Sequence, residues 1–328
     1  MNLRAVITVH LLAVLLILAA PATGARSKEL ELTTHVVPLN HTAPEQVRIG
    51  RLAWRGGIEI SSPYKKFGGL SGLLISADGA NLTTVSDSGF WITARMTYDA
   101  NGFLNGLADA QVKRLRGTDG RPVKGKVDQD AEAMTELADG SIVVAYERNH
   151  RIWRYPPAAT PLRGNADPLP APAGLEELSN NRGMEALVTL ADDSILALVE
   201  GKDDDTVTPA FLWRGGVWEQ LHYQRTGNYR PSGAARLPNG DLLVLERRYT
   251  LLEGVGIRLV RLPAAAVVAG ALLQPVEVAR LLPPLTIDNM EAIDVRQNER
   301  GETVVYLLSD DNFSIIQRTL LLMFAFEE

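Results

Sequence analysis

Short apolar runs, many of them β-branched, recur along the chain between turn residues. Leu73-Leu74-Ile75, Leu82-Thr83-Thr84-Val85, Ile142 to Tyr146, Ile195 to Val199 and Leu242 to Leu245 are of this kind. The turns beside them are near copies: Ala77-Asp78-Gly79, Ala138-Asp139-Gly140, Ala191-Asp192-Asp193 and Pro238-Asn239-Gly240. Asp-Gly and Asn-Gly suit the tight turns of hairpins, so each pair of runs predicts two antiparallel strands. Arg151 to Tyr155, Ala210 to Arg214, Val217 to Leu221 and Gly256 to Leu262 instead alternate apolar with polar residues. That alternation predicts half-exposed strands further from the centre. Pro156 to Gly174 is proline-rich and reads as a surface loop. Pro263 to Leu273 is alanine-rich and predicts a helical turn, with Pro263 at its start, inserted between strands.

The strand pairs are copies of one unit. A carboxylate or small residue opens the first run, and an acid usually closes the second. The copies run from Ser71-Gly72 to Asp87, from Glu132 to Glu147, from Glu185 to Glu200, from Gly233 to Glu246 and from Glu291 to Asp310-Asp311. Their openings lie about 50 to 60 residues apart, a period of multi-stranded propeller blades rather than helical solenoids. The expected fold is all-β: a single β-propeller of five or six four-stranded blades. Strand-like segments at Val47 to Ile60 and Thr319 to Phe326 would share a blade and so close the ring without leaving an exposed edge. The expected organisation is a leader over 1–25, an extension over 26–46 and the propeller over 47–328.

The leader follows from Arg4, the apolar stretch Leu11 to Ala20, and Pro21-Ala22-Thr23-Gly24-Ala25, the order of a cleaved secretory signal. The stretch is short for a membrane span, so no stable span is expected after cleavage. Export predicts a periplasmic or secreted protein, yet the chain has no cysteine and cannot rely on disulfides. A formal charge of −6 without a basic block argues against nucleic-acid binding. A monomer acting on a small anionic molecule is the expected form.

Chemistry centres on the acids. The start of an innermost propeller strand and the end of the next lie on the same face. Asp87, Glu132, Glu147, Glu185, Glu200, Glu246, Glu291 and Asp310 should therefore meet around one rim. Like charges this close raise one another's pKa, and a hard cation relieves them; calcium accepts many oxygen ligands in loose geometry. These eight acids are the candidate metal ligands, with Glu132, Glu185 and Glu291 also the candidate catalytic groups. Arg148, Arg182, Arg230 and Arg247 lie beside them and could hold an anionic substrate, or could simply neutralise the acids and tie the blades together. Ser86-Asp87-Ser88 and Ser309-Asp310-Asp311-Asn312 offer further clustered oxygens. His150 near the rim could act as an acid or base, though a loop histidine is usually only solvated. Asp203-Asp204-Asp205 reads as a solvated loop, and no G-x-S-x-G nucleophile elbow is present.

Phe67-Gly68-Gly69-Leu70-Ser71-Gly72-Leu73, Ser86-Asp87-Ser88-Gly89, Asp130-Ala131-Glu132-Ala133-Met134 and Asn181-Arg182-Gly183-Met184-Glu185-Ala186-Leu187 carry a family likeness. Arg230-Pro231-Ser232-Gly233-Ala234 and Asp288-Asn289-Met290-Glu291-Ala292-Ile293 continue it. Over residues 47–328 the chain resembles the phytase-like, "esterase-like activity of phytase" family of exported bacterial proteins. The resemblance implies a β-propeller and, through a distant relation to calcium-dependent propeller phytases, a phosphoesterase or esterase activity. No residue role carries over from it. The expected function is calcium-dependent hydrolysis of an anionic ester, a phosphoester first. A lactonase or carboxylesterase propeller, or a binding scaffold with a structural Glu/Arg ring, are the alternatives.

Overall fold

A computed structural model describes residues 27–157 and 164–327. The expected leader and its cleavage point lie outside the described residues. Five innermost strands, Leu70–Ile75, Ala131–Glu136, Met184–Thr189, Arg230–Arg236 and Met290–Gln297, stand side by side, and the last packs against the first. That closed ring makes the molecule a five-bladed propeller, which resolves the expected five or six blades to five.

Each blade is an antiparallel sheet radiating from the ring. In the first, Leu70–Ile75 is followed outward by Asn81–Ser86, Phe90–Tyr98 and Leu104–Arg114. The fifth blade takes Met290–Gln297, Thr303–Ser309 and Thr319–Phe326 from the C-terminal end and Leu52–Ser61 from the N-terminal end. Closure is thus by backbone hydrogen bonds, as the matching end strands predict. The expected extension is built into this seam. Thr33–Val36 pairs with Leu52–Ser61, while Lys28–Glu29 pairs with the outer strand of the first blade.

The apolar pattern has a direct cause in this layout. Second strands such as Ile142–Tyr146 and Ile195–Val199 are buried along their whole length, because a neighbouring blade covers each face. Five hydrophobic clusters fill the five gaps between blades, one per gap. The hairpin turns also repeat: Gly79, Gly140, Asp193, Gly240 and Gly301 each donate a backbone N–H three residues back, to Ser76, Leu137, Leu190, Leu237 and Asn298. Pro263 precedes a single 3-10 turn over Ala264–Ala266, the helical turn expected there.

Candidate functional site

At one end of the channel every inner strand carries a β-bulge. The extra residue is Gly72, Glu132, Glu185, Ser232 or Glu291 in blades one to five. A bulge breaks the alternation of the strand and re-aims a side chain, and it recurs beside active sites. Here it turns Glu132, Glu185 and Glu291 toward a common centre. In the first blade the left-handed Gly72 (φ 62°) leaves no room for a side chain, since a Cβ there would lie 2.7 Å from Met134 Cγ. Ser71 Oγ instead donates to Glu132 Oε2 at 3.3 Å.

The second strands deliver a matching set. Asp87, Glu147, Glu200 and Asp310 each donate a backbone N–H across the strand pair, to Gly69, Asp130, Gly183 and Asn289. In the fourth blade the equivalent place belongs to Arg247, paired with Arg230. Glu246, expected among the metal ligands, is one residue short of that place, and its side chain takes the opposite side of the strand. It is fully buried, accepting from Tyr223 Oη at 2.8 Å and from Arg258 Nε at 2.5 Å. Its ion pair with Arg258 lies within the fourth blade, and Tyr223 of the third blade bonds to it across the gap.

The rim is electrically two-sided. In the second blade, one carboxylate oxygen from each of Asp130, Glu132 and Glu147 lies within 4.8 Å of the others. Burial and the neighbouring acids raise Glu132 well above the ordinary carboxylate range. Burial chiefly, and then Asp130, push Asp87 up to about 6. Burial pushes Glu147 up to about 7, although it accepts the Gly183 N–H at 2.9 Å and a hydrogen bond from Glu185. Burial, and then Glu132, Glu200 and Glu147, raise Glu185 well above the ordinary carboxylate range. Burial and Glu291 push Asp310 up to about 8. One guanidinium, Arg148, meets this half, on Asp130.

Glu200, Glu291 and Asp203, from blades three to five, are instead met by guanidiniums. Arg247 reaches Glu291 at 3.0 Å and Glu200 at 3.6 Å, which ties three blades together. Its charge pulls Glu291 down against burial, which still leaves that carboxyl raised. Arg230 Nη1 donates to Glu200 Oε1 at 3.1 Å, and its other amino group meets Asp203. Arg182 donates to Gly201 O at 2.7 Å and to Asp203 Oδ1 at 2.9 Å. Asp203 is thus gripped by two guanidiniums and held ionised by them, rather than merely solvated as its acidic run suggested. His150 Nε2 lies 3.2 Å from Ser179 O, while its Nδ1 is buried without a partner beside Gly183.

One buried oxygen on the acidic half, Asp87 Oδ1, has no protein partner among the described residues. A Cβ on Gly69 would sit 2.0 Å from Asp87 Oδ1, so the glycine makes the space that this carboxylate occupies. Crowded carboxylates, raised proton affinities and an orphaned carboxylate oxygen are what a hard divalent cation satisfies. Asp130, Glu132 and Glu147 form a candidate metal site on those grounds. Asp130 was not among the expected ligands, although its spacing of two from Glu132 was visible. A small cavity of about 10 Å³ lies among the inner strands beside Glu185 and Glu291. A cavity of about 400 Å³ adjoins the rim, between Arg182, Lys202, Val199 and Phe211.

Residues 65–313 match a family model described as "Phytase-like: Esterase-like activity of phytase". No curated protein matches the chain in sequence. Several solved structures are similar to the chain at low identity. A protein assigned as a gluconolactonase is 12% identical, with a TM-score of 0.43 over 92% of this chain and 96% of that one. The PQQ-bound aldose sugar dehydrogenase of Streptomyces coelicolor is 12% identical, with a TM-score of 0.43 over 91% of this chain and 100% of that one. The WD40 repeats of RRP9 are 12% identical, with a TM-score of 0.40 over 92% and 100%.

Proposed function

The chain belongs to the phytase-like family, and on that premise we propose that it hydrolyses an anionic ester, a phosphoester first, with a divalent cation at the acidic half of the rim. Calcium is the ion that suits an all-oxygen set drawn from several strands. The observation that carries this reading is the division of the rim: Asp87, Glu132, Glu147, Glu185 and Asp310 crowd together with no guanidinium paired to them among the described residues, while Arg182, Arg230 and Arg247 gather in blades three and four. Asp130, Glu132 and Glu147 would hold the ion, with Asp87 free to join them. When bound, such an ion polarises an ester oxygen and acidifies a coordinated water.

The chain's own groups do the rest. Arg182 and Arg230 orient the substrate anion, in the place where they now grip the exposed Asp203. Glu185, raised well above the ordinary carboxylate range by burial and the neighbouring acids, exchanges a proton with the attacking water or the leaving group while Glu147 holds the ion. Glu291 and Glu200 hold Arg247 and keep the blades in register.

The test is a substrate panel run with calcium and with chelator. Chelator-sensitive turnover of a phosphoester, lost in Glu185→Gln with the fold intact, supports the reading. Turnover of carboxylesters or lactones but not phosphoesters would replace it with a lactonase or esterase. Calcium binding absent by calorimetry, with no turnover of any ester, would leave a structural ring of acids and arginines.

A further inference from the structure

The four most exposed large hydrophobic residues among those described are Leu251 (92%), Leu252 (98%), Ile315 (102%) and Ile316 (85%). They occupy only two loops. One joins Leu242–Thr250 to Gly254–Leu262 in the fourth blade, and the other joins Thr303–Ser309 to Thr319–Phe326 in the fifth. Both loops leave the outgoing end of a second strand, the end that carries Arg247 in one blade and Asp310 in the other. The two apolar tips therefore project from the same face as the acidic rim, on adjacent blades.

Their composition is graded in the same way. Each has an aromatic residue nearer the sheet, Tyr249 (67% exposed) in one and Phe313 (44%) in the other, and an aliphatic pair at the tip. Each also has an arginine at its neck: Arg248, paired with Glu253 of the same loop, and Arg318, paired with Asp288. Lys65 and Lys66, both exposed, lie just before the first blade on this same side. Phe313 packs against the backbone of Gly68 and Gly69, beside Asp311 and Asp87, so this tip is anchored to the rim itself.

We infer that this face docks on a lipid surface, with the two aliphatic tips entering the acyl region and the rim held at the level of the headgroups. Cations at the neck, an aromatic ring next and aliphatic carbons outermost match the polarity gradient from headgroup to chain. The shape also favours lipid over a protein partner. Protein interfaces bury a contiguous, shape-matched centre. Here the apolar atoms sit on separate protruding loops around a charged centre, which a fluid surface accommodates. If the rim hydrolyses anionic esters, as proposed above, the esters it meets are those of amphiphiles at that surface. Docking itself does not depend on that activity.

The chain lacks cysteine, so single cysteines report position without background. Leu252→Cys and Ile315→Cys, and Val217→Cys on a hairpin at the opposite face, are each labelled with an environment-sensitive fluorophore. The full chain is mixed with vesicles of phosphatidylcholine, with and without phosphatidylglycerol. The docking surface predicts blue-shifted, brighter emission at 252 and 315 and no change at 217. It also predicts at least a tenfold loss of vesicle affinity at these probes when Leu251 and Ile316 are changed to Asp. No change at 252 and 315, or an equal change at 217, overturns the proposal. A shift that grows with protein concentration without vesicles would assign the tips to self-association instead. Because these probes read position rather than turnover, an inactive rim leaves the result interpretable.

Discussion

Glu147→Gln should stabilise the metal-free protein, although the residue lies in the centre of the candidate site. Glu147 is buried, with its carboxyl raised from an ordinary 4.5 to about 7. A raised carboxyl binds its proton more tightly in the folded chain than in the unfolded one. The fold therefore loses stability as pH climbs from the ordinary value through about 7, and the loss is complete above that. At roughly 1.4 kcal/mol per unit, the ionised side chain costs about 3 kcal/mol at pH 8. Glutamine keeps an oxygen to accept the Gly183 N–H and removes the charge. In chelator at pH 8 the variant should melt higher by about 2 °C for each kcal/mol recovered. The gain should shrink toward zero near pH 4. With calcium the order should reverse. At ligand a hundredfold above Kd the parent gains about 2.7 kcal/mol, and the variant, short of one ligand, gains much less. Melting curves of both proteins across pH, with calcium and with chelator, measure all of this. A variant that melts no higher than the parent at pH 8 in chelator would refute the view of an uncompensated acidic cluster.

Other perturbations separate the roles around the rim. Glu185→Gln should cost at least about a hundredfold in turnover, from loss of its acid–base role, with the melt unchanged or higher; circular dichroism melts and kinetics decide it. Glu246→Gln should do the opposite: removing one partner of the buried pair with Arg258 should cost about 3 kcal/mol of stability in denaturant titrations and leave calcium affinity unchanged. Asp203→Asn should free Arg182 and Arg230 from a competing carboxylate and lower KM for an anionic ester severalfold; a raised KM would mean that Asp203 positions the arginines. Calcium binding should weaken as pH falls from about 8 through 7 to 6, where Asp310, Glu147 and Asp87 take up protons in turn. Calorimetric titrations at several pH values would show that fall, and a pH-independent affinity would place the ion elsewhere.

Local signals made the architecture readable in advance. Paired apolar runs, near-identical Asp-Gly and Asn-Gly turns and matching end strands depend on neighbours in sequence, and the structure keeps each of them. The convergence of Glu132, Glu147, Glu185, Glu200, Glu291 and Asp310 was readable too, because it follows from which ends of two antiparallel strands coincide. Glu246 was misplaced because side chains alternate across a strand, so one residue of register exchanges the rim for the gap between blades. The bulge that re-aims Glu132, Glu185 and Glu291 is an insertion of one residue, with no composition of its own to mark it.

Sequence by itself determined the repeating unit, the face on which acids gather and the need to compensate them, since period, turn chemistry and charge are carried in the residue order. Only the tertiary structure decided that the blades number five, that Asp203 bridges Arg182 and Arg230, and that Asp130 completes the acidic group. It alone divided the rim into carboxylates that crowd together and carboxylates that guanidiniums meet. Those outcomes depend on distances between blades far apart in the chain, where the closure of the ring, rather than any local preference, brings one side chain to another.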